Sequence, residues 1–136
     1  MKGAYLLTFD RDLIGKVTEV AGSAECPAFA KSGLSWADDR HVMLVDDETG
    51  GQLLIYRAFG DGLDWDFRDP PHSPIPGVTL PDMETVLGYM VECRWEEQFA
   101  RTVREIAHLV DGGAWVLDGD GVVWDATAVD PERVRL

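Results

Sequence analysis

The chain has 136 residues, 46 % of them hydrophobic, enough to bury one core without disulfides or metals, so one domain over 1–136 is expected. Its 25 Asp and Glu against 12 Lys and Arg give a formal charge of −13, a field that repels nucleic acid and attracts cationic partners. The chain also lacks asparagine and is rich in Gly, Ala, Val and Asp, the residues that the codons of a GC-rich bacterium favour, and on that reading the charge serves solubility.

"MKGAYLLTFDRD" at the start carries one lysine and an apolar run too short for a signal peptide or a membrane span, and it implies a cytoplasmic protein. "AYLLTF" (4–9) reads as a short buried strand. Asp10 then stands where an N-cap would open a helix with apolar positions at Leu13, Ile14, Val17 and Val20, ended by Gly22. An irregular segment follows, and "RHVMLVDD" and "GGQLLIYRAF" then read as two strands of a hairpin.

Residues 60–82, "GDGLDWDFRDPPHSPIPGVTLPD", have no usable period and many prolines. A connection this long within a compact domain is commonly functional, partly ordered by its own side chains, or disordered. Its aromatics argue against plain disorder. The chain resumes with "VLGYMVECR" (86–94), read as a strand, although Leu87 and Val91 also continue a four-residue step into Trp95 and leave a longer helix as the rival. Trp95, Phe99, Val103, Ile106 and Val110 form the apolar stripe of a second helix. The fold class implied is α+β, with two β-α-β-β units, a mainly antiparallel sheet and two helices on one side.

"WVLDGDGVVWDA" (115–126) closes the series. Its acids invite a calcium-loop reading, but oxygen ligands at alternate positions and a closing glutamate are absent, and glycines beside aspartates suit a tight hairpin turn. With residues 119 and 120 as a two-residue turn, Trp115, Leu117, Val122 and Trp124 would share one face. Asp118 and Asp125 would then lie roughly 13 Å apart along the ladder, too far to share an ion.

Catalytic chemistry finds little footing. His41, His72 and His108 stand in no motif, Cys26 and Cys93 read as separate structural thiols, and no nucleophile elbow, phosphate loop or zinc motif occurs. Neither a metal nor a cofactor is implied, and an enzyme is not the expectation. The best candidate is the acidic loop "DGLDWDFRD", where Asp61, Asp64, Asp66 and Asp69 surround Trp65 and Phe67 in the manner of an interface hot spot for a basic protein. In the bland reading of the same loop, the two aromatics pin it to the sheet. The alternative function is small-molecule binding against Tyr89, Trp115 and Trp124, in a cleft between the two halves.

Two resemblances accompany these readings. The tandem strand-helix-strand-strand order is similar to the duplicated modules of GyrI-like small-molecule-binding proteins, and that resemblance implies a ligand cleft between repeats. "VECRWEEQFARTVREIAHLVDGGAWVLDGDGVVW" resembles the C-terminal part of small acidic bacterial proteins that include toxin-immunity candidates, and that one implies a non-enzymatic inhibitor of a basic partner.

Overall fold

A computed structural model describes residues 2–23, 29, 32–60, 65–69 and 71–136, with the side chains of Trp65 and Asp66 excluded. In chain order the elements are β1 (Lys2–Thr8), α1 (Leu13–Val20), β2 (Ser32–Ala37), β3 (His41–Asp46), β4 (Gln52–Arg57), α2 (Trp65–Arg68), β5 (Ser73–Pro74), β6 (Leu87–Cys93), α3 (Glu96–Leu109), β7 (Trp115–Leu117) and β8 (Val122–Asp125), followed by a 3-10 turn at Ala126–Ala128. Eight strands form one sheet in the order β2-β3-β4-β6-β1-β7-β8-β5, antiparallel except for the β5–β8 pair. The fold is α+β.

Strand periodicity explains the layering. Along β1, β3, β4 and β6, alternate residues such as Leu6, Leu44, Ile55 and Val91 turn to one face, where they form the main core with Leu13, Ile14 and Val17 of α1 and Phe99, Val103 and Ile106 of α3. Both helices cover that face. Residues 86–94 are strand, because Tyr89, Val91 and Cys93 pair across the centre of the sheet with β1 and β4. Trp95 departs from the expected helical stripe. It is an extended N-cap and 38 % exposed, while the buried stripe begins at Gln98 and Phe99.

The first half holds a strand, β2 at the sheet edge, within the segment expected to be irregular, and the halves are laid down differently. α1 leads to that far edge and the chain returns until β4 lies beside β6, whereas α3 leads directly to β7 beside β1. No helix among the described residues is long and apolar enough to cross a membrane.

Among the described residues, the opposite face of the sheet is covered over only half its width. Phe67 and Val86 pack there on Leu7, Leu117 and Val123, with Tyr5, Val78, Met83 and Trp115 at the margin. The described part of the 60–82 segment is thus an ordered layer. Ser73 N–H donates to Gly121 O at 2.8 Å, Ile75 N–H to Val123 O at 2.9 Å and the Trp115 indole N–H to Thr79 O at 3.0 Å.

Candidate docking face

The other half of that face carries the outward residues of β3, β4 and β6. Cross-strand register places His41 opposite Tyr56, Met43 opposite Leu54, Tyr56 opposite Met90 and Leu54 opposite Glu92. These side chains remain half-buried, beyond the reach of the apolar cluster around Phe67. β2 adds Trp36 through a bulge. Leu34 pairs with Leu44, but the register then shifts so that Trp36 pairs with Met43, and the indole joins this face 45 % exposed.

The rings form a file across three strands. Trp36 and His41 have centroids 5.8 Å apart, and His41 and Tyr56 are again 5.8 Å apart with 32° between their planes. The Tyr56 hydroxyl donates to Glu92 Oε1 at 2.9 Å, and burial, then the Glu92 bond and charge, push that hydroxyl up to about 12. His41 Nδ1 lies 3.0 Å from Asp38 Oδ1, which also accepts from the Arg40 and His41 backbone N–H groups. The Arg40 N–H first, and then the His41 ring, hold the Asp38 carboxyl below its usual value. Gly3 makes room at the centre, because a Cβ there would stand 2.9 Å from Glu92 Cγ and 3.0 Å from Met90 Sδ.

Such a surface suits a protein partner. Aromatic and methionine side chains are enriched in interface cores, methionine adapts its shape, and ring faces attract cations. Glu92 places a carboxylate within it.

The residues singled out from sequence fall elsewhere. Asp61 and Asp64 lie outside the described residues, as do the side chains of Trp65 and Asp66; Asp69 is exposed. Phe67, which the sequence offers both as a partner contact and as an anchor for the loop, is 0 % exposed and packs against Tyr5 and Gly88, so it pins the segment to the sheet. Tyr89 is buried too, its hydroxyl donating to Asp10 O at 2.8 Å.

The two tryptophans of the last hairpin lie on opposite faces, contrary to the two-residue turn expected. Asp118 N–H donates to Val122 O at 3.0 Å, so the loop contains three residues, Gly119, Asp120 and Gly121, and Gly121 takes the positive φ of 79° that glycine tolerates. One residue of register reverses the assignment. Val116 pairs with Trp124, and Trp115 with Asp125. Trp124 is therefore buried on the helix side, and no cleft opens between it and Trp115.

The acids of this hairpin have structural partners. Asp118 Oδ1 accepts from the Asp120 and Val122 N–H groups, and Oδ2 from the Trp124 indole and the Arg135 N–H. Asp120 meets Arg135, and Asp125 caps Thr127. Among the described residues no group of three or more potential ligands is placed to hold a metal ion. Cys93 is buried, its thiol donating to Trp95 O at 3.3 Å.

The runs at β3 and β4 read as strands in the sequence, but without an assignment of their faces. The missed signal was that "HVMLV" and "LLIY" are apolar at both alternate positions, which a strand with one solvated face has no need to be. No family model, curated protein or solved structure matches the chain.

Proposed function

We propose that this chain is a non-enzymatic binding protein that docks a basic protein partner on the open half of its sheet, around Trp36, His41, Tyr56 and Glu92. The observation that carries the reading is the file of rings ending on the Glu92 carboxylate, only half-buried among the described residues, in a chain of formal charge −13. The ring faces and Glu92 receive a lysine or arginine side chain, Met43, Leu54 and Met90 supply apolar contact, and the remaining negative charge speeds encounter. An immunity-type inhibitor, the class that the sequence resemblance implies, is the form of this function that the acidity favours.

The test is affinity capture from lysate of the producing cells with wild type, Trp36→Ser, Glu92→Gln and Thr127→Ala, the last far from the ring file in sequence and outside its strands. A basic protein retained by wild type and Thr127→Ala, lost by the other two and released by salt, supports the assignment. Equal retention by all four variants contradicts it.

A further inference from the structure

Where the β3–β4 turn meets the start of α3, three hollows open side by side. The middle one, about 210 Å³, is walled by Asp46, Glu48 and Thr49 of the turn and by Trp95, Glu97, Gln98 and Arg101. One neighbour, about 310 Å³, shares Thr49 and Trp95 and passes over Gly51; the other, about 400 Å³, shares Glu97 and Arg101 and runs along α3. Together they make a groove between the first and second halves of the chain, away from the aromatic face.

Its floor contains an unanswered acceptor. Gln98 is 6 % exposed, and its Nε2 donates to Gly51 O at 3.2 Å, which fixes the orientation of the amide. Its Oε1 is buried with no donor among the described residues, and a buried acceptor of this kind calls for a donor from outside the chain. Gly51 allows the arrangement. A Cβ there would lie 2.5 Å from Trp95 Cζ3 and 3.0 Å from Gln98 Oε1, so only a bare backbone fits between ring and amide.

The walls supply the complementary chemistry. Arg101 Nη2 holds Asp46 Oδ2 at 3.1 Å, yet its side chain is half-exposed and retains further N–H donors for an anion. Trp95 offers a partly exposed ring as the outer wall. The middle hollow falls below the roughly 300 to 1,000 Å³ of drug-sized pockets. It suits a much smaller molecule with a donor at one end and an acceptor at the other.

We infer that this groove binds a free α-amino acid, its ammonium group donating to Gln98 Oε1, its carboxylate meeting Arg101 and its side chain lying along Trp95. Oε1 is covered, so binding uncovers it, and because Trp95 lines the same hollow, binding is readable at that ring. The inference is independent of the docking face.

Titration of the full chain with each standard L-amino acid, followed by ¹H–¹⁵N NMR, tests it. At least one amino acid should shift the Gln98 side-chain amide and the Trp95 indole N–H together and saturably, and the matching 2-oxo acid, which lacks the ammonium, should not. Gln98→Met should weaken that binding roughly tenfold. Since Gln98→Met also removes the bond to Gly51, Arg101→Gln at a half-exposed position is the second variant, with a similar loss expected. Failure of every amino acid to move both signals, equal binding of the 2-oxo acid, or indifference to Arg101→Gln would overturn the assignment.

Discussion

The Trp124 indole N–H donates to Asp118 Oδ2 at 3.0 Å, across a hairpin whose turn the same carboxylate closes. Asp118 thereby joins the turn, a buried ring and the backbone of Arg135. Asp118→Ala leaves the indole donor buried without its acceptor and the turn without its cap, so a loss of about 3 kcal/mol is expected in urea unfolding. Asp118→Asn, which keeps one acceptor oxygen, should lose less. Equal stability of the alanine variant and wild type would contradict this role.

Phe67 lies so close to Gly88 that a Cβ on Gly88 would stand 2.5 Å from the ring. Gly88→Ala should therefore destabilise by about 1 to 3 kcal/mol through overpacking, and Phe67→Ala by about 3 to 5 kcal/mol through the cavity it leaves. Combined, the two should cost less than their sum, because removing the ring relieves the clash. Strict additivity in thermal melts would place the ring elsewhere.

Acid should weaken the fold through Asp10. Its burial works against ionisation, but hydrogen bonds from Lys16 and from the Asp12 and Asp111 N–H groups outweigh that and hold its pKa below the ordinary value of 3.8. A depressed folded pKa gives stability that is present above the unfolded value and lost as pH falls through the folded one. Urea midpoints should accordingly fall below about pH 4. Asp10→Asn should be less stable at neutral pH and show a shallower acid decline; an unchanged acid profile would exclude the contribution.

Burial also pushes the Cys93 thiol up to about 11. In a Cys26→Ser background, native protein at about pH 8 should resist iodoacetamide and react only when unfolded. Rapid modification of the native chain would mean that β6 opens readily.

Much of the fold was legible because the signals were periodic. Phe99, Val103 and Ile106 marked α3, and apolar runs marked β3, β4 and β6. β2 was missed because "SGLSWA" has no clean alternation and a bulge interrupts its pairing. The tryptophan faces were reversed because a two-residue and a three-residue turn share the same glycines and aspartates while differing by one residue of register. Phe67 was ambiguous in sequence because an aromatic among acids fits both a hot spot and an anchor, and only Gly88, 21 positions along the chain, decides between them. The ring file brings together residues from separate strands, so it has no local signature.

The most direct test of the docking face is photo-cross-linking in the producing cells, with p-benzoylphenylalanine introduced at Trp36, at Met43 or, as a control outside the face, at Thr127. A covalent adduct with one basic protein is expected from the first two positions, diminished by salt and by Glu92→Gln, and none from the third. Adducts of equal yield from all three positions, or from Thr127 alone, would contradict it.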